Sequence, residues 1–132
     1  MTVQRIDLGP EDIVREAPRL TAADFDQLPF GTIRLDLEGT IGIYNKAEEA
    51  LSGRHRDDVI GLNFFRQVAP CTRVKEFYGL FRDGVARGQL NEVFDFTFRF
   101  ANGARHVRIR MIFAELPSPG VWLFVTPINA SC

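Results

Sequence analysis

The chain has 132 residues, 45% of them hydrophobic and 25% charged, and its sixteen Lys and Arg against seventeen Asp and Glu leave a net charge of −1. That length suits one compact domain, the charge balance excludes a polybasic nucleic-acid binder, and no apolar run approaches the roughly 18 residues a membrane helix needs. The first residues, Met1-Thr2-Val3-Gln4 leading into Arg5-Ile6-Asp7, hold no apolar export segment, so the expected location is cytoplasmic.

Residues 1–28 are mostly polar with scattered apolar points, and read as a small helical cap. Gly9-Pro10-Glu11-Asp12 starts a first short helix, with Pro near N1 and acids in the first turn. Thr21-Ala22-Ala23-Asp24 starts a second, with an acid three residues after the capping threonine. Pro29 ends the segment, and a core follows over 29–132. Period-two patterns over 32–37 and 40–43 flank Glu38-Gly39 and predict a hairpin. Asn45 caps a brief helix through Leu51, with Gly53 at its C-terminal stop. Residues 54–72 are broken pieces around Gly61, Pro70 and Cys71. The longest helix is predicted over 75–87, with Phe77, Phe81 and Val85 on one stripe and Gly88 beyond it.

The last third reads as sheet. Phe94, Phe96, Phe98 and Phe100 alternate with polar positions; Asn102-Gly103 is a turn signal; Val107, Ile109, Met111 and Phe113 alternate again; and a final strand covers 121–126. The order predicts an α+β fold: a five-stranded antiparallel sheet, helices between strands two and three, and an N-terminal helical cap. His106, Arg108 and Arg110 share one strand face, which the acids of the cap (Glu11, Asp12, Asp24, Asp26) are expected to cover.

Twelve Phe against two Tyr and one Trp describe a dry interior in which a buried phenol is a rare polar object. Two cysteines are no disulfide framework, and Cys132 is the last residue. Cys71, before the long helix, is therefore either a reactive thiolate or a small buried thiol filling a gap. Glu48 borders an inward stripe of Ala47, Ala50 and Leu51; it is either an ordinary exposed carboxylate or a buried, protonated one. Tyr44, at a strand end, needs a partner for its hydroxyl. A Cys/His nucleophile pair has no support beyond the existence of His55 and His106, and no metal-ligand spacing or phosphate loop occurs. The reading is of a protein that is not an enzyme.

Tyr44-Asn45, Glu48, Gly53-Arg54, Val59-Ile60-Gly61, Asn63-Phe64-Phe65, Val68-Ala69-Pro70-Cys71-Thr72 and Glu76-Phe77-Tyr78-Gly79 together resemble the photoactive yellow protein family of blue-light receptors built on the PAS fold. The match runs from Phe30-Gly31 to about Val125, and Gly9 with Glu11-Asp12-Ile13 resembles the family's cap. The resemblance implies p-coumaric acid (4-hydroxycinnamic acid) joined to Cys71 as a thioester. By matching position, Tyr44 and a protonated Glu48 hydrogen-bond its phenolate, Ser52 supports Tyr44, and Arg54 shields the pocket. Ile33, Phe64, Val68, Pro70 and Phe98 line it. It further implies a photocycle in which trans–cis isomerisation draws the Glu48 proton and loosens the cap. Asn102 stands where many members place a Met and recover quickly, which implies slow dark recovery here. Ser52 in place of Thr, and Leu8 where the family often has Phe, are milder departures. The downstream signalling partner is unknown, and neither nucleic acid nor membrane is expected as one. The alternative is a PAS sensor or interaction module without this chromophore.

Overall fold

The computed structural model describes residues 9–101 and 103–128. Helix α1 (Pro10–Glu16) opens with Pro at N1 and runs into a 3₁₀ turn, Ala17–Arg19. Helix α2 (Ala22–Asp26) begins with a complete capping box: the Thr21 hydroxyl accepts from Asp24 N and the Asp24 carboxylate accepts from Thr21 N. Strands β1 (Gly31–Leu35) and β2 (Ile41–Tyr44) follow. Helix α3 (Lys46–Ser52) is capped by Asn45 and stopped by Gly53 at φ +74°, a left-handed conformation that favours glycine.

A broken stretch then comprises 3₁₀ turns at Arg56–Asp58 and Pro70–Thr72 and a π-helical turn at Phe64–Val68. The single helix expected over 75–87 is two segments, a π-helical turn over Lys75–Gly79 and α4 (Leu80–Arg87). Gly79 ends the widened turn, and Phe77 and Phe81, four residues apart, are both buried in the core. Strands β3 (Asn91–Phe100), β4 (Gly103–Ala114) and β5 (Gly120–Pro127) complete the chain. Phe100 pairs with Gly103, so Gly103, at φ +121°, opens β4 instead of lying inside the turn.

All five strands form one antiparallel sheet in the order β2-β1-β5-β4-β3, with helices between β2 and β3 as expected for a PAS fold. Alternation along the strands separates two cores. Ile33, Leu35, Val107, Ile109, Met111, Val121, Leu123 and Val125 face the helical side, where Phe64, Phe65, Phe77 and Phe81 pack. Ile112, Trp122 and Phe124 face the other side and are covered by Ile13, Ala17, Phe25 and Leu28 of the cap. Phe25 stacks on Trp122 with ring centroids 5.6 Å apart.

The cap's acids mostly serve other ends than covering the basic strand face. Among the described residues only Glu11 reaches it, pairing with Arg110 at 2.7 Å. Asp12 pairs with Arg15, Asp24 caps its own helix, and Asp26 turns toward α3. Arg108 is held instead by Asp95, directly opposite it on β3, and His106 by the Thr97 hydroxyl. No helix among the described residues is long and apolar enough to cross a membrane.

Candidate chromophore site

Helix α3 carries the polar part of the site. Ala50 is exposed and the inward-facing residues are Glu48 and Ser52, so the stripe expected at Ala47, Ala50 and Leu51 is rotated. The Asn45 cap sets that rotation: its Oδ1 accepts from Glu48 N at 3.1 Å and from Thr32 N at 2.9 Å, pinning the first turn to β1. Glu48 and Ser52, four residues apart, then project to the same side, beneath the end of β2.

Tyr44, Glu48 and Ser52 are all buried, at 2, 2 and 4% exposure. The Tyr44 and Ser52 hydroxyls are 2.6 Å apart. Ser52 Oγ also accepts from Arg54 N at 3.1 Å; it can both take that bond and donate its own proton to Tyr44, and in that arrangement the phenol's proton is free. Burial, and secondarily the Glu48 carboxyl, push the Tyr44 pKa up, so the phenol stays protonated. Burial alone pushes the Glu48 carboxyl up to about 8, well above the usual carboxylate range. Glu48 Oε1 is buried without a hydrogen-bond partner. A buried polar atom with none carries a cost that a native fold normally avoids, and this is the most informative feature of the site. A protonated carboxyl and a phenol, both buried, are two groups able to donate to one anionic aromatic oxygen.

Of the other expected residues, Ile33, Phe64, Val68 and Phe98 are buried in the same apolar cluster as Tyr44. Phe64 meets Phe98 edge-on, ring centroids 6.4 Å apart. Pro70, Cys71 and Arg54 are exposed. Cys71 is thus a free thiol at the surface and does not fill a core gap. It sits in the 3₁₀ turn Pro70–Thr72, which packs against β3 and is anchored by Thr72, whose buried hydroxyl donates to Ala69 O at 2.6 Å. Asn102 lies outside the described residues.

Two residues carry more of the site than their spacing suggested. Gly31, at the start of β1, leaves the space that the Glu48 carboxyl fills. A glycine inside a strand pattern is a signal of close approach. Asn45, read only as a helix cap, also donates through Nδ2 to Phe25 O at 2.8 Å and Phe30 O at 3.1 Å. It joins the helix that carries Glu48 to the N-terminal cap.

The PAS fold family model matches residues 22–128. The photoactive yellow protein of Rhodothalassium salexigens is 42% identical over 123 residues, spanning 93% of this chain and 98% of that protein. That of Halochromatium salexigens is 40% identical over 120 residues, spanning 91% of this chain and 95% of the relative. Among solved structures, the photoactive yellow protein domain of the sensor histidine kinase Ppr from Rhodospirillum centenum superposes with a TM-score of 0.80 at 45% identity, covering 86% of this chain and 98% of that domain.

Proposed function

The chain belongs to the photoactive yellow protein family of PAS-fold photosensors, and from that membership we propose that it is a blue-light receptor carrying p-coumaric acid as a thioester on Cys71. The observation that carries the reading is the Glu48 carboxyl, protonated by burial with its Oε1 unpartnered, and close enough to the buried Tyr44 phenol to push its pKa up.

When bound, the p-coumaryl group supplies a light-isomerisable double bond and an aromatic oxygen able to hold or lose charge. Cys71 is the attachment point, and its exposure makes the thiol accessible to acylation. Tyr44 and Glu48 would donate to the coumaryl phenolate oxygen, spreading the charge over two hydrogen bonds. Ser52 orients Tyr44, and Arg54 follows it at the mouth. Ile33, Phe64, Val68, Pro70 and Phe98 exclude water, which strengthens both donors.

In the light state the Glu48 carboxyl would pass its proton to the aromatic oxygen it had been hydrogen-bonded to. A carboxylate is then left in an interior built for a neutral acid, at a cost comparable with a small domain's whole stability. The strain reaches the cap through Asn45, which holds Glu48 N with one end of its amide and Phe25 O with the other. Loosening of the cap, residues 1–28, from the core, 29–132, is the signal, read by a downstream partner in the cytoplasm. With Asn102 where relatives carry Met, recovery in the dark is slow. The protein acts as a sensor and performs no turnover.

The test is to treat the unpigmented protein with p-coumaric anhydride and record its visible spectrum before and after blue light. One coumaryl group per chain, on Cys71, with a visible band that bleaches and returns in darkness supports the receptor. A folded chain that forms no band refutes it in favour of an unpigmented PAS module, and a band equally strong in Cys71→Ser refutes the thioester on Cys71.

A further inference from the structure

Arg56 lies outside the chromophore site, in the 3₁₀ turn after α3. Its Nη2 donates to Asp26 Oδ1 at 2.9 Å, its Nε to Glu49 Oε2 at 3.2 Å, and its backbone N to the same Oε2 at 2.8 Å. Asp26 is the last residue of α2, in the cap. Its Oδ1 also accepts from Lys46 N, the first residue of α3, at 2.9 Å. The three side chains are only 24, 24 and 18% exposed. His55 faces the same group from the adjoining loop, its Nδ1 3.9 Å from Glu49 Oε2.

One guanidinium thus serves two carboxylates, one on the cap and one on the helix that carries Glu48. Among the described residues the other ion pair that ties the cap to the core, Glu11 with Arg110 of β4, is more exposed, at 61 and 31%. The planar fork of Arg suits two acceptors at once, where a Lys ammonium would act as a point charge. Without the cation, Asp26 and Glu49 would face each other as like charges.

We propose that Arg56 is the clasp of the cap, a positioning residue that holds α2 against α3 and sets how readily the cap leaves. Its consequence for signalling rests on the photosensor reading; the clasp itself does not. Arg56 acts through Asp26 and Glu49 and makes no contact with the pigment-binding groups Tyr44, Glu48 or Ser52 among its hydrogen bonds.

The experiment is amide hydrogen exchange, read on peptides covering residues 10–28 of the full chain, first without pigment and then with it. At low salt Arg56→Gln is expected to raise cap exchange roughly three- to tenfold. Arg56→Lys should fall between that variant and the parent. The difference should shrink at about 1 M salt, where ion pairs and like-charge repulsion are both screened. Adding Asp26→Asn to Arg56→Gln should cost less than the two single effects combined, because it removes one of the facing charges. Cap exchange unchanged in Arg56→Gln, or an increase indifferent to salt and additive with Asp26→Asn, would overturn the clasp. Failure of the pigment to form would count against the receptor reading alone, since the clasp is measured on the unpigmented chain.

Discussion

Gly31 is bare at the point on β1 where Glu48 Oε1 comes to rest: a Cβ built there overlaps that oxygen, with Val125 Cβ 3.3 Å away on the other flank. The burial of the acid is therefore written into two elements, the helix that presents it and the strand that makes room. Gly31→Ala should destabilise the protein by about 1–3 kcal/mol, the usual cost of overpacking. In a Glu48→Ala background the same change should cost much less, because the oxygen it strikes is gone. Denaturant titration of the four proteins measures both. Equal costs in the two backgrounds would mean that Gly31 is required for some other reason.

The titration of Glu48 gives a pH dependence with a definite sign. Its ordinary value of 4.5 is pushed up to about 8 by burial. Between those values the folded state holds a proton that the unfolded chain has released. The stabilisation is therefore fully present below about 4.5 and is lost as pH rises toward about 8. Glu48→Gln should remove that slope, worth on the order of a few kcal/mol across the window. Thermal or denaturant midpoints of the unpigmented proteins against pH check it, and parallel profiles would place the Glu48 carboxyl in water.

Asn45 separates two functions within one amide. Asn45→Asp keeps an oxygen for Glu48 N and Thr32 N but loses the donors to Phe25 O and Phe30 O. The expected outcome is a loss of about 1–3 kcal/mol, with amide exchange rising in α2 while α3 stays protected. Equal loosening of both helices would show that the cap is held by other means.

Recovery in the pigmented protein tests position 102. Asn102→Met should shorten the dark recovery time after a blue flash by about tenfold or more, equivalent to a barrier lower by about 1.4 kcal/mol. Unchanged kinetics by transient absorption would remove Asn102 as the cause of slow recovery.

Much of this was legible in the chain because local rules and tertiary structure agreed. The capping box at Thr21, the Asn45 cap, the Gly53 stop and the Phe alternation of β3 each have one physical solution, and the fold adopts it. The α3 stripe was only partly legible: Leu51 does pack on the core and Ala47 is half-buried, but Ala50 is exposed. The actual inward pair, Glu48 and Ser52, is polar and is buried for the site. The wide turn at Lys75–Gly79 leaves almost no periodic signal, since Phe77 and Phe81, four residues apart, fall on one buried side in either helix type. The fourfold bonding of Asn45 and the reach of Arg56 to Asp26 join residues 20 and 30 positions apart, and nothing local announces either.

The chain's one tryptophan, Trp122, lies on the capped face of the sheet and is fully buried there, stacked under Phe25 with Arg34 on its ring at 5.4 Å. The core on the helical side of the sheet has no tryptophan, so the protein contains its own fluorescent gauge of one event. Wetting of that indole reports departure of the cap while the Phe-rich half stays dark and folded. The state of the signalling surface can thus be followed in the unlabelled molecule, at an emission wavelength separate from any visible absorption.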